Sequence, residues 1–198
     1  MFNNQGSGTP FIAAGGWDAY TTAVGLYRAD PNLYLANGSI TDMNDARNVI
    51  NGLAGKNFGG IVMIGHGNEE DGPLIGHVPV NEELVQLIAE TLSPNGPRFV
   101  FFANCSAFQN PDIVKQFAEW AKKYNLTFIA ANMDVNSPTS GKDPNRIRFG
   151  ITDEQPDTFQ WIMVTPGGIQ YFNVNGLPSG IAPVIPPPPG NPGDNNAR

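Results

Sequence analysis

Hydrophobic residues occur in short unbroken runs in the middle of the chain, and these runs predict buried strands. Runs of this kind are typical of parallel sheets, whose strands are covered on both faces. We therefore predict strands at Gly60–Ile64, Phe99–Ala103 and Thr127–Ala131. Before and between the runs, apolar residues recur three and four positions apart, which is the period of a helix. This spacing predicts helices over Asp42–Leu53, Glu82–Leu92 and Pro111–Lys123.

Polar residues at the starts of the predicted helices support these boundaries. Asn81 and Asn110 precede two of them, and asparagine is a favoured N-cap because its side chain accepts a bond from an unpaired backbone N–H. Pro111 occupies the first helical position, where the missing N–H of proline does no harm. The helix that begins near residue 42 is expected to be capped by Thr41 or Ser39.

Smaller elements are predicted on both sides of this unit and inside it. We expect strands at 11–14, 33–35 and 147–151, a helix over 17–28, a small hairpin arm at Leu74–Val80, and a hairpin of Trp161–Thr165 with Ile169–Val174. The hairpin follows from two apolar runs joined by a Pro-Gly-Gly turn. Alternating strands and helices predict an α/β fold, here a three-layer α/β/α sandwich around a mostly parallel sheet, with a C-terminal β-hairpin.

The composition indicates one folded domain with irregular ends. Hydrophobic residues make up 40% of the 198 residues, as in globular proteins, while Gly (23) and Pro (18) are abundant. The first ten residues are small and polar, and the last stretch is too rich in proline to pack. We therefore expect a flexible lead-in over 1–10, one domain over 11–178 and a disordered tail or linker over 179–198.

The charge of the chain argues against two classes of partner. Its net charge is −7, its pI is 4.6, and it has no basic stripe. Phosphate binding needs clustered Lys and Arg, so we expect neither nucleic acid nor a membrane as a partner. The N-terminus lacks the apolar core of a signal peptide, and no run reaches the length of a membrane span. The expected location is the cytoplasm, or outside the cell after export without a cleavable signal.

Two of the predicted strands lead into residues that can act together as a nucleophile and its base. Gly60–Ile64 continues to His66, which has glycine on both sides, and Phe99–Ala103 continues to Cys105. Open parallel sheets carry functional residues past the carboxyl ends of their strands, and neighbouring strands are about 4.8 Å apart. An imidazole beside a thiol can hold it as the reactive thiolate. The pattern predicts a Cys105–His66 pair, with the amides of Gly67 and Cys105 as donors to an oxyanion.

Other interpretations of these residues stay open. Cys105 alone is compatible with a buried, unreactive thiol, and His66 alone with a residue that stabilises a turn. His77 is a second candidate for the base, although a loop position is less well fixed than a strand end. A metal site built from the two histidines and the acidic run Glu69–Asp71 has no standard ligand spacing. We therefore expect neither a metal nor a cofactor.

The two blocks together resemble a known group of enzymes. IVMIGHG (61–67) and FVFFANCS (99–106), with one helix between them, resemble the caspase-like clan of cysteine peptidases, which includes caspases, legumain, gingipains, clostripain, separase and toxin-associated bacterial peptidases. The resemblance implies that His66 is the general base and acid, Cys105 the nucleophile, and Gly67 and Cys105 the oxyanion amides. It also implies a protein or peptide substrate, no cofactor, and a self-processing or bacterial effector context.

Candidates for substrate binding follow from the same resemblance. Members of the clan build the first specificity pocket from loops after neighbouring strands, and those that prefer basic residues place an acid there. Asp134 and Asp18 are candidates for that acid, and each is also compatible with a loop aspartate that stabilises a turn. Asn104, beside the nucleophile, departs from the Ala or Gln of many members. Trp161 either walls the cleft or extends the sheet.

We therefore predict a cysteine endopeptidase that cleaves peptide bonds through an acyl-enzyme. Two alternatives use the same residues. One is a catalytically inactive caspase-like scaffold or binding domain, in which the thiol is buried or out of reach of the histidine. The other is a cysteine-dependent hydrolase or acyltransferase that acts on a small molecule. The sequence does not predict an oligomeric state.

Overall fold

The computed structural model of the protein describes residues 11–14, 34–36, 40–134 and 160–172. Some predictions concern other parts of the chain: the lead-in over 1–10, the helix over 17–28, the strand at 147–151 and the tail over 179–198. These predictions, and Asp18, lie outside the described residues.

The described residues form strands and helices in the predicted alternating order. In chain order they are β1 (Phe11–Ala14), β2 (Tyr34–Ala36), α1 (Met43–Asn51), β3 (Gly60–Ile64), β4 (Gly67–Asn68), β5 (Gly72–Ile75), β6 (Val78–Pro79), α2 (Glu82–Thr91), β7 (Phe99–Ala103), α3 (Pro111–Tyr124), β8 (Thr127–Ala131), β9 (Trp161–Thr165) and β10 (Gly168–Phe172). The three central strands have the predicted bounds, because unbroken apolar runs end where the strands do.

The main sheet has the described strands in the order β10-β9-β8-β7-β3-β1-β2. Strands β2, β1, β3, β7 and β8 run parallel, whereas β9 is antiparallel to β8 and β10 to β9. The mixed α/β class and the mostly parallel sheet are therefore confirmed. Strands β4, β5 and β6 form a separate small antiparallel sheet, of which the sequence predicted only the β5–β6 arm.

Side-chain caps determine where the helices begin. Asn81 and Asn110 each accept a bond from a backbone N–H in the first turn of α2 and α3, so both predicted N-caps are confirmed. The prediction of Thr41 or Ser39 for α1 was wrong, since Asp42 is the N-cap. Asp42 directly precedes the first helical residue, and its carboxylate accepts bonds from two N–H groups that have no partner within the helix.

The three described helices pack on one face of the main sheet. Alternate strand residues on this face, such as Met63, Val100, Phe102 and Phe128, are buried against the apolar sides of the helices. Burial of a side chain of this size contributes about 1.5–3 kcal/mol, so this layer holds the strand ends firmly in place. Residues on the other face of β7, β8 and β9 are buried too. Because the described helices share one face, the three-layer arrangement stays a prediction.

The helices are short. The longest described one, α3, has 14 residues, which corresponds to about 21 Å. Among the residues that the structure describes, no helix combines the length and the apolar character needed to cross a bilayer.

Candidate active site

The parallel pairing of β3 with β7 brings the two predicted catalytic residues to the same edge of the sheet. The last paired residues of these strands are Ile64 and Ala103. His66 and Cys105 each lie two positions beyond this last pair. Both residues therefore lie just past the carboxyl ends of neighbouring strands, where parallel sheets carry their functional sites.

A buried hydrogen-bond bridge connects the two strand ends. Asn104 directly follows β7 and is fully buried. Its Nδ2 donates to the carbonyl oxygen of His66 and, at 3.0 Å, to the carbonyl oxygen of Leu74 in β5. The residue before Cys105 is therefore bonded both to His66 and to the small sheet.

The backbone at Gly67 lies directly against the segment that carries Cys105. A Cβ atom at Gly67 would stand 2.6 Å from the carbonyl oxygen of Cys105 and 2.9 Å from the Cβ of Asn104. Real Cβ atoms do not approach other heavy atoms so closely, and glycine is therefore required at this position. The glycine that the sequence places after His66 is what allows the two strand ends to touch.

The N–H of Gly67 points out of the small sheet. Gly67 is paired with Pro73, while the adjacent ladder bond runs from Leu74 N–H to the His66 carbonyl oxygen at 3.2 Å. In an antiparallel ladder this makes Gly67 and Pro73 a non-hydrogen-bonded pair, so the N–H of Gly67 faces away from Pro73, which has no N–H of its own. The Gly67 amide consequently faces away from β5, as a donor to a bound oxyanion has to do.

Cys105 begins a turn that is tied to the end of β8. The N–H of Ser106 donates to the carbonyl oxygen of Met133 at 3.0 Å, and its hydroxyl donates to Asp134 Oδ1 at 3.0 Å. Ser106 has φ 51°, in the left-handed region, which is unfavourable for residues other than glycine. The contacts with the β8 end stabilise this unfavourable backbone and therefore the turn in which Cys105 lies.

The two candidate catalytic residues differ in exposure. His66 is exposed and Cys105 is half-buried. The acidic run Glu69–Asp71 after His66 is exposed as well, and Asn68 accepts bonds from the N–H groups of Glu70 and Asp71 at 2.9 and 2.7 Å. The acidic residues thus form an ordered surface turn next to the site.

His77 lies at the far end of β5 from the Cys105 turn. It is exposed in the turn between β5 and β6, and its N–H donates to the Ile40 carbonyl oxygen at 3.3 Å. The opposite end of β5, at Gly72, packs against Ala107, which belongs to the Cys105 turn. The placement favours His66 over His77 as the base.

The structure places the four candidates for substrate binding differently. Asp134 is exposed beside the Cys105 turn, and Asp18 lies outside the described residues. Trp161 is only 2% exposed, and its ring centroid lies 5.1 Å from that of Phe101. Asn104 is buried and bonded to backbone carbonyls. Trp161 extends the sheet as part of β9, which is one of its two predicted roles. Asn104 is buried away from solvent and connects backbone segments.

Sequence reasoning missed the bridge made by Asn104. The signal was present, because Asn104 is in phase with Val100 and Phe102, whose side chains are buried on the helix-covered face of β7. A polar residue at such a position needs a hydrogen-bond partner close by. Across the described ranges, no three His, Cys, Asp or Glu side chains are grouped so that they could hold a metal ion.

The scan of family models, the search of curated proteins and the search of solved structures each found no match to this chain. The functional conclusion therefore rests on the residues of the site and on their geometry.

Proposed function

We propose that this protein is a cysteine endopeptidase of the caspase-like type, with Cys105 as nucleophile and His66 as its base. The observation that carries the proposal is the shared sheet edge. Each residue lies two positions beyond the last β3–β7 pair, Ile64 with Ala103, and the backbone at Gly67 lies against the segment that carries Cys105. The residue types supply the chemistry, because an adjacent imidazole increases the fraction of a thiol that is thiolate.

In the proposed reaction, Sγ of Cys105 forms a bond to the carbonyl carbon of the peptide, and the thiol proton passes to His66. The carbonyl π electrons move to oxygen, and the oxyanion accepts bonds from the N–H groups of Gly67 and Cys105. His66 then gives the proton to the amide nitrogen while the C–N bond breaks. Water attacks the acyl-enzyme with His66 as base, which releases the carboxylic acid and restores the thiol.

Exposure and charge support a peptide as the substrate. His66 is exposed to solvent, so an extended peptide chain can reach it. Asp134 is exposed next to the Cys105 turn, which supports its role as an acid that recognises a basic substrate side chain. The proposal includes the three-layer sandwich with its C-terminal hairpin, as in the clan that the sequence resembles.

Digestion of a proteome-derived peptide library, read by mass spectrometry, tests the proposal. The wild type should generate new termini that Cys105→Ala does not generate. His66→Ala should cleave about 100-fold or more slowly, because the proton transfers lose their carrier. His77→Ala is the matched control, and it should retain wild-type cleavage since His77 lies at the far end of β5.

Two results would contradict the peptidase. Identical digests from the wild type and Cys105→Ala would show that the thiol does not cleave peptides. Turnover of small thioesters by the wild type, without any peptide cleavage, would instead identify a small-molecule hydrolase that uses the same two residues.

A further inference from the structure

One side chain is connected to both halves of the proposed pair. Asn104 is covalently next to Cys105, with their Cα atoms about 3.8 Å apart. Through Nδ2 it is also hydrogen-bonded to the backbone carbonyl of His66. A displacement of Asn104 therefore changes the position of the nucleophile and of the base together.

The Asn104 amide is present at a cost in stability. The residue is 0% exposed, and within the described part of the chain its Oδ1 has no hydrogen-bond partner. A buried acceptor without a partner destabilises a fold, whereas an apolar residue would avoid that penalty. Packing alone therefore does not explain why position 104 is an asparagine. The two hydrogen bonds that its Nδ2 donates explain it.

These bonds restrict a segment that its sequence leaves flexible. Glycine flanks His66 on both sides, and glycine gives the backbone more freedom than any other residue. The His66 carbonyl accepts two bonds, one from Leu74 N–H at 3.2 Å and one from Asn104 Nδ2. Together they fix the peptide plane that follows His66, and hence the backbone from which the imidazole projects.

We propose that Asn104 is a positioning residue, which orients His66 toward Cys105 through its hydrogen bond to the His66 carbonyl. This inference rests on the proposed Cys105–His66 pair. Asn104 contacts neither the substrate nor the reacting atoms. Its role is to hold two strand ends, which belong to segments almost forty residues apart in the chain, in one reactive geometry.

The rate at which iodoacetamide alkylates the single thiol of the full chain, measured against pH, tests this role without knowledge of the substrate. A thiol paired with imidazole reacts well below the free-thiol pKa of about 8.5. In Asn104→Ala the rate at about pH 6 should fall by about tenfold or more, toward that of His66→Ala. Asn104→Ser, which keeps one hydroxyl donor, should lie between Asn104→Ala and the wild type. Asp134 and the acidic run Glu69–Asp71 are unchanged in all these variants.

Asn81→Ala is the matched control. It also removes an asparagine side chain that bonds to the backbone, in this case one that accepts from the N–H of Leu84 at the start of α2. It should lower the melting temperature and leave the pH profile of alkylation unchanged. An equal loss of low-pH reactivity in Asn81→Ala and Asn104→Ala would overturn the positioning role, because general destabilisation would then explain both.

The remaining outcomes separate this inference from the proposed function. If the wild type and His66→Ala both react as free thiols, the catalytic pair does not exist. If His66→Ala loses the low-pH reactivity and Asn104→Ala keeps it, the pair stands and the role of Asn104 is refuted. If the Asn104 variants do not fold, NMR of the wild type tests the bridge instead. The side-chain amide protons of Asn104 should then exchange slowly with solvent. Fast exchange would contradict the hydrogen bonds of the bridge.

Discussion

At the scale of single residues, the site depends on a glycine without a Cβ and on one residue with an unfavourable backbone conformation. Gly67 lacks a Cβ where one would overlap the carbonyl oxygen of Cys105. Ser106 adopts a left-handed φ of 51° immediately after the nucleophile. Backbone in such sparsely populated conformations persists only where neighbouring contacts stabilise it, here the bonds of Ser106 to Met133 and Asp134.

Substitution of Gly67 by alanine should disrupt the site more than the fold. The new methyl group would force β4 away from the Cys105 segment, and displacements of about 1 Å can reduce catalysis by about 100-fold. We expect a loss of this size in the rate of peptide cleavage, with far-UV circular dichroism close to that of the wild type. Gly167→Ala is the control, because its Cβ would meet only Thr165 Oγ1 at an ordinary 3.6 Å. Full activity in Gly67→Ala would contradict the close approach.

At the scale of secondary-structure elements, a single arginine joins the ends of two helices. Arg98, just before β7, donates to the carbonyl oxygens of Ala89 and Leu92 at the end of α2, and of Tyr124 and Asn125 at the end of α3. Helix C-termini present unpaired carbonyls and partial negative charge, which a guanidinium satisfies. Partial burial lowers the pKa of Arg98 from its usual value. This contact anchors the edge of the sheet opposite the site.

Removal of this guanidinium should destabilise the whole domain. Arg98→Ala leaves several helix-terminal carbonyls without a charged donor, and we expect the free energy of unfolding to fall by about 3 kcal/mol. Urea denaturation measures this change. Lys115→Ala is the comparison, since Lys115 forms an exposed ion pair with Asp112 that solvent screens, and its unfolding midpoint should not move. Equal midpoints for Arg98→Ala and the wild type would refute the role of the arginine.

At the scale of the whole molecule, ion pairs between helices link stability to pH. Glu82 of α2 pairs with Lys123 of α3 at 2.6 Å, and Glu83 pairs with Arg47 of α1 at 2.5 Å. The hydrogen bond from Lys123 lowers the pKa of Glu82, and that from Arg47 lowers the pKa of Glu83. These depressed values mean that the unfolded chain binds more protons than the folded one in mildly acidic solution.

Stability should therefore fall in acid. The two glutamates contribute stability above their usual pKa of 4.5, and this contribution is lost as the pH falls through their lower values in the folded state. The melting temperature, followed by circular dichroism, should decrease below that pH. Glu82→Gln should make the decrease less steep, because one of the carboxyls with a lowered pKa is removed. A melting temperature that stays constant down to about pH 3 would contradict this linkage.

The hydrophobic pattern of the sequence predicted which residues lie at the candidate site. It did not predict the contacts that those residues make. His66 and Cys105 follow apolar runs whose parallel strands end at one edge, so their neighbourhood could be predicted from the order of strands and helices. The pattern of β7 indicates that Asn104 is buried, but it does not reveal that its partner is the His66 carbonyl, because that bond joins segments distant in the chain. The choice between the two predicted roles of Trp161 also required the structure, since the sequence does not reveal that its ring packs on Phe101.

There is a physical reason why the sequence predicted the residues at the sheet edge but not their contacts. Hydrophobic periodicity and capping residues act over a few positions, and they were sufficient to predict the central strands, the helices, the parallel sheet and the N-caps Asn81 and Asn110. Contacts between segments distant in the chain depend on packing of the complete fold. The position of β1 between β2 and β3, the separate sheet of β4–β6, and the meeting of Gly67 with Cys105 are of this second kind, because only the folded chain brings those atoms together.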